Sequence, residues 1–423
     1  MKRTMNLLLA AVLLLVAAAA MVWALNVRDE TDVNGVAASP ASEELIARGA
    51  YLARAGNCMA CHTQRGGEPY AGGRAIETPF GAVYTSNLTP DEQSGIGSWT
   101  PAHFWRAMHN GRSKDGRLLY PAFPYTSYTQ VTREDSDALF AYLRSLPAVF
   151  SPNHAHALQF SFNSQAALAV WRALYFKPGV YQPEPARNAE WNRGAYLVQG
   201  LGHCSACHAA RNALGATTAG AGLAGGLIPV QNWYAPSLAS PHEAGVADWD
   251  TQDIVSLLKN GVSKNASVAG PMAGVVLGST QHLTPDDLAA MAQYLKQLPP
   301  STTAKPQATS AAGSAAGAKL YDQHCAGCHG LKGDGVPNAY PALAGNRAVT
   351  MAQTANLVQI VLHGGYAPAT QGNPRPFGMP PFVLVLNDSE IAALLTHLRQ
   401  SWGNQASGVT ALDVNRIRAN QGK

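Results

Sequence analysis

The first apolar run decides where the chain goes. Nineteen residues from Leu7 to Leu25 carry no charge and are almost wholly apolar; as a helix rising 1.5 Å per residue they span about 28 Å, enough to cross a bilayer core. Lys2 and Arg3 precede the run, so they stay cytoplasmic and everything beyond Asn26 faces the other side. Residues 1–26 read as a signal anchor or as a cleaved signal peptide, with Val22-Trp23-Ala24 as the processing site. Further on, apolar residues recur with helical period in three segments: Glu134 to Leu146, Pro285 to Leu298, and Asp388 to Trp402. Thr132, Thr284 and Asn387 stand ahead of acidic residues as N-caps, and Pro147, Pro299 and Pro300 mark stops.

These closing helices end three copies of one unit. Arg48-Gly-Ala-Tyr-Leu52 returns as Arg193-Gly-Ala-Tyr-Leu197, with a weaker echo in Gly317-Ala-Lys-Leu-Tyr321. Counted from Trp99 and Trp249, both runs reach Asn-Gly at the same offset, Asn110-Gly111 and Asn260-Gly261. The pattern predicts an all-α chain: tandem helical domains at 41–150, 188–300 and 317–405, a connector at 151–187, a Ser/Ala/Thr/Gly-rich flexible linker at 301–316, and a tail at 406–423.

Composition narrows the chemistry. Of 423 residues only 13% are charged and the net charge is +4, which excludes a nucleic-acid partner. Six cysteines are too few for a disulfide scaffold, and all of them fall in C-x-x-C-H: Cys58-Met-Ala-Cys61-His62, Cys204-Ser-Ala-Cys207-His208 and Cys325-Ala-Gly-Cys328-His329. Two thiols one helical turn apart can add to the two vinyl groups of a haem, with the adjacent imidazole as proximal iron ligand. A thioredoxin-like motif needs a βαβ context, which is missing; zinc needs paired half-sites close in sequence; disulfides leave the triplicated His unexplained. The expected cofactors are three covalently attached haem c groups, held by Cys58, Cys61, Cys204, Cys207, Cys325 and Cys328, with iron on His62, His208 and His329. His203 and His324, just before the cysteines, read as ordinary residues.

A distal methionine suits electron transfer. Gly270-Pro271-Met272 and Gly378-Met379-Pro380-Pro381 each place a Met in a Pro/Gly loop before the closing helix, so Met272 and Met379 are the expected sixth ligands. Met291 and Met351 read as packing residues. The first unit breaks the pattern: Leu119-Tyr-Pro-Ala-Phe123-Pro-Tyr-Thr-Ser-Tyr128 holds no Met. Met108 reads as core, and His103 and His109 stay open as alternatives. The first haem is expected to be five-coordinate or unusually ligated, with the lowest potential.

These motifs, together with Asn87-Leu-Thr-Pro90, Gly95-Ile-Gly-Ser-Trp99, Glu190-Trp-Asn-Arg193, Ser279-Thr-Gln-His-Leu283 and Ser401-Trp-Gly-Asn404, resemble the triple-haem cytochrome c subunit of membrane-bound alcohol, gluconate and fructose dehydrogenases of Gram-negative bacteria. The resemblance implies three class I cytochrome c-like domains on the periplasmic side of the inner membrane. It also implies a separate dehydrogenase catalytic subunit, with PQQ, FAD or molybdopterin, as electron donor and ubiquinone or a terminal oxidase as acceptor. Members usually carry Met where this chain has Phe123, and the Phe form is similar to cytochromes that accompany molybdenum-hydroxylase-type aldehyde or N-heterocycle oxidoreductases.

No Ser, His and carboxylate set and no phosphate-cradling Gly motif stands out, so substrate oxidation is assigned to the partner. Trp99, Trp105, Trp249 and Tyr125 are candidates for packing on haem edges, and the apolar stretch from Phe160 to Phe176 for meeting a partner or the membrane. The competing reading is a free-standing peroxidase-like enzyme or small-ligand sensor that uses an open first haem.

Overall fold

The computed structural model describes residues 2–30, 33, 41–217, 222–264, 266–301, 315–337 and 339–419. The apolar run forms one helix, Lys2–Val27, of 26 residues, whose most apolar 18 residues have a mean hydropathy of 2.7 and in which Asn26 alone is buried. The remaining chain is mostly helical and divides into two compact units, one formed by Met1–Gln182 with Gln199–His203, the other by Pro183–Val198 with Cys204–Lys423.

In the first unit, helices Glu43–Ala55 and Arg133–Ser145 cross at Gly49, where an added Cβ would sit 1.9 Å from the carbonyl oxygen of Ala138. Only glycine lets two backbones approach this closely. Arg48 beside it reaches across to the first-turn Asp135, donating from Nε at 2.9 Å. The repeated pentapeptide thus encodes a helix crossing, and the second unit contains it twice. Gly194 would place a Cβ 2.0 Å from the oxygen of Ala290, and Gly317 would place one 2.2 Å from that of Ala393. Arg193 makes the matching bidentate pair with Asp287, both bonds 2.7 Å.

The closing helices are Arg133–Ser145, Pro285–Lys296 and Asp388–Gln400. Thr132, Thr284 and Asn387 cap them by accepting from the amides of Asp135, Asp287 and Glu390. Each ends one or two residues before the expected boundary; Leu146, for example, turns extended at ψ 159 because Pro147 excludes the helical conformation for the residue before it. Helices Pro101–Asn110 and Thr251–Asn260 both end on a left-handed glycine, Gly111 and Gly261, which accounts for the shared Asn-Gly.

Four expectations need correction. The chain is not purely helical: Ala75–Thr78, Gly81–Tyr84 and Ala157–Leu158 form a three-stranded antiparallel sheet, and Gly226–Ile228 with Trp233–Ala235 and Gly365–Tyr366 with Gly378–Met379 form two-stranded ones. The connector as far as Gln182 belongs to the first unit: Ala157 pairs with Ala82 and the helix Gln165–Tyr175 buries Leu168 and Arg172. The third helical set starts at Ala315, two residues before the predicted boundary; 302–314 of the linker lie outside the described residues. The tail is no tail: helix Ala411–Ala419 buries Val414 in the core around Ile391 and Leu395, and Arg418 donates to Asp388 at 2.6 Å. Within the second unit the two helical sets meet directly, as Asn356 exchanges two hydrogen bonds with the backbone of Tyr234, at 2.8 and 2.7 Å.

Candidate haem-attachment sites

Each C-x-x-C-H lies on a single helical turn: Cys58–Cys61 followed by His62, Ser205–His208 after Cys204, and Ala326–His329 after Cys325. Residues i and i+3 share one helix face, which presents both thiols of a pair together. None of the six cysteines is in a disulfide, so no such bond competes for them. The approach to this turn varies by single residues. The segment from Arg193 to Cys204 is one residue longer than that from Arg48 to Cys58, and the extra residue is absorbed in a π-helical turn, Leu197–Leu201.

The imidazoles decide the chemistry. His62 Nδ1 lies 2.8 Å from the carbonyl oxygen of Ser86, His208 Nδ1 2.7 Å from that of Pro236, and His329 Nδ1 2.9 Å from that of Pro341. A carbonyl can only accept, so Nδ1 carries the proton and Nε2 keeps its lone pair, the arrangement of a metal-ligating histidine held by an outer hydrogen bond. Burial holds the His62 and His208 imidazoles below the usual histidine range, against the opposing effect of those carbonyls, and so keeps them neutral. Burial also pushes the Cys58 and Cys204 thiols up to about 12 and Cys325 up to about 11. Thiols of this kind stay protonated, and a thioether, formed by adding S–H across a vinyl group, leaves no buried charge behind.

Among the described residues no three His, Cys, Asp or Glu side chains converge to hold a bare metal ion. Two thiols and one imidazole presented side by side fit a macrocycle that brings its own four nitrogen donors. In the first two sites a guanidinium also fixes the turn: Arg74 donates to the carbonyl of Ala60, and Arg211 to that of Ala206 at 2.5 Å.

The segments opposite are tied to these imidazoles through aromatic rings. In the second site the strand leading to Pro236 carries Trp233, against whose ring a Cβ at Gly270 would close to 2.7 Å; Met272 follows two residues later. In the third, Tyr340 lies 6.5 Å from the His329 ring and 5.1 Å from Phe377, two residues before Met379. Neither methionine sits in a loop, which corrects the sequence reading. Met272 occupies the first turn of helix Pro271–Gly278, and Met379 is a strand residue paired with Gly365. Pro271 at the first helical position costs no hydrogen bond, which is how a Pro/Gly segment becomes a helix start.

The first site differs on this side. Phe123 packs on Tyr128 at 5.3 Å, and Tyr128 is buried, its hydroxyl pushed well above its ordinary range by burial and by the neighbouring Cys58 and Cys61. His156 of the former connector accepts from the Tyr84 amide at 3.2 Å and meets the Tyr120 ring edge-on at 5.1 Å, linking the two sides of the site. His103 is committed to the Thr100 capping box, and His109 Nδ1 to the Thr129 carbonyl at 2.8 Å, stacked on Trp105. His203 meets Tyr128 edge-on at 5.4 Å, a second aromatic contact on the thiol side. Tyr125 is buried between Phe176 and Arg172, so its partners are protein groups. Tyr128, His156 and the three carbonyl acceptors escaped the sequence reading; only the aromatic density of Leu119–Tyr128 pointed toward the first of them.

The cytochrome c family profile matches residues 46–147, 192–299 and 314–402, each match enclosing one C-x-x-C-H turn and one helix crossing. The chain belongs to the cytochrome c family. It is similar to the cytochrome c subunit of the alcohol dehydrogenase (quinone) of Gluconacetobacter polyoxogenes, with 40% identity over 89% of this chain and 85% of that one. The cytochrome c subunit of gluconate 2-dehydrogenase from Pantoea cypripedii is 37% identical over 90% of this chain and 91% of its own length. One of the subunits of nicotinate dehydrogenase from Pseudomonas putida is 40% identical over 90% of this chain but only 32% of its own, longer length. Membership establishes this cytochrome c as a carrier of covalently bound haem with an electron-transfer role, and its relatives are subunits of dehydrogenases.

Proposed function

We propose that the chain carries three haem c groups and conducts electrons from a periplasmic dehydrogenase subunit to ubiquinone or the terminal respiratory chain. One observation supports it above the rest: three cysteine pairs outside any disulfide, each followed by an imidazole whose Nδ1 is held 2.7–2.9 Å from a loop carbonyl. In this reading Cys58, Cys61, Cys204, Cys207, Cys325 and Cys328 form the thioethers, and His62, His208 and His329 offer Nε2 to iron. The sulfurs of Met272 and Met379 complete two of the sites, and Phe123 denies that ligand to the first. The polypeptide attaches, orients and shields the haem groups, whose one-electron chemistry does the rest.

The relatives name different donors, alcohol, gluconate and nicotinate, at 40, 37 and 40% identity. Similar cytochromes serve different oxidations, so the partner supplies the substrate site. The three domains at 41–150, 188–300 and 317–405, the first and third extended as described above, serve as separate haem compartments. The test is recovery of the tagged chain from membranes: a large dehydrogenase polypeptide co-purifies, and its substrate reduces the haem groups. A chain that purifies alone and turns over peroxide overturns this and favours an enzyme with an open first haem.

A further inference from the structure

The Lys2–Val27 helix does not simply precede the first unit; its foot is built into it. Asn26 is buried, and its side-chain amide donates to the carbonyl of Ala169 at 2.9 Å while its Oδ1 accepts from Arg172 Nε at 2.9 Å. Its own carbonyl accepts from Arg112 at 3.2 Å. Arg172 is 2% exposed and lies over the rings of Tyr125 and Phe176. Glu30 then pairs with Arg112 at 3.1 Å, and the Asp29 carbonyl accepts from Asn110 at 3.2 Å. Cleavage after Ala24 would put an ammonium group at Leu25, next to Asn26, on which the guanidinium groups of Arg112 and Arg172 already converge. The clamp favours retention of the anchor.

Helix Gln165–Tyr175, on which that foot rests, turns Leu168 and Arg172 inward and leaves Val170, Leu174 and Tyr175 outward, at 47%, 65% and 38% exposure. Arg172 is the only charged side chain from Ala157 to Phe176, and it is buried. Phe160, five residues before that helix, is 92% exposed, and Trp23 stands exposed near the end of the anchor. An uncharged apolar face joined to the exit of a bilayer-spanning helix, with Trp and Tyr at that depth, has the composition of an interfacial membrane helix.

We propose that this helix and Phe160 rest in the outer leaflet boundary of the same bilayer, so that the first domain touches phospholipid at two elements. The inference rests on the membrane placement proposed above and names the surface that meets it. Because the helix packs on the foot of the anchor and presents no exposed charge between Gln165 and Tyr175, its occupant is lipid and not the dehydrogenase partner.

The test uses the full haem-loaded chain in phosphatidylglycerol/phosphatidylethanolamine vesicles. All six native cysteines lie in the haem sites, so a nitroxide on Leu174→Cys or Val170→Cys is unique. Dissolved oxygen should relax these labels several-fold more than a water-soluble nickel chelate does, whereas a label on Glu134→Cys should show the reverse. Equal nickel access at all three positions, or protection only after the dehydrogenase partner is added, overturns the proposal. The mass of the mature chain is read separately: a chain starting at Leu25 refutes anchor retention, while the labels still report on the helix.

Discussion

The first and second attachment sites share a proximal half and differ in the distal one. Both have a glycine-mediated helix crossing, an Arg–Asp pair beside it, an arginine on the carbonyl between the cysteines, and an imidazole held by a loop carbonyl. Opposite, the second offers Met272 at a helix start, whereas the first offers Phe123 against a buried Tyr128. The proximal half is constrained by covalent attachment, which tolerates little variation in spacing. In the proposed assignment the distal half sets a potential through one axial ligand, which a single residue changes without disturbing the fold.

Removing what the sites share should have the largest effect. Gly49→Ala drives a Cβ into the Ala138 carbonyl and should destabilise the first unit by about 3 kcal/mol; denaturant unfolding of the haem-loaded chain measures it, and a loss below about 0.5 kcal/mol contradicts the crossing. Giving the first site what the second has comes next. Phe123→Met should add a third Met-to-iron charge-transfer contribution to the two expected in the parent and raise the lowest haem potential; an unchanged spectrum argues that the segment cannot reach iron. Arg48→Ala removes the two guanidinium hydrogen bonds to the buried Asp135 carboxylate and should cost about 1 kcal/mol, held to that by the half-exposed arginine, with Arg193→Ala matching it.

The smallest effect is one of pH. Burial lowers the pKa of His109, which faces the Thr129 carbonyl, with Asp29 opposing the shift. The unfolded chain therefore takes up the proton first, so stability present above about pH 6.5 falls as the pH drops through that value. His109→Gln should flatten the Tm difference between pH 7.5 and 5.5, whereas an unchanged slope assigns the effect to other groups.

The sites were legible where chemistry demands local spacing. C-x-x-C-H, the caps at Thr132, Thr284 and Asn387, and the Asn-Gly helix ends all act within a turn or two of chain. What distant backbone supplies was not legible. The carbonyls of Ser86, Pro236 and Pro341 have no side-chain signature, and any residue could present them. The connector read as an apolar stretch between domains and the last residues as a tail; their place in the fold was not legible because burial of Arg172 and Val414 depends on partners more than ten residues away. Met272 and Met379 were singled out by their Pro/Gly neighbours, but the same neighbours suggested loops where a helix start and a paired strand stand.

The central claim is that every thiol pair carries a haem. Intact mass of the mature polypeptide, with alkylation of any free sulfhydryl, tests it most directly. Three added macrocycles and no alkylated cysteine are predicted; two or fewer, or a reactive thiol at any of the six positions, contradicts it.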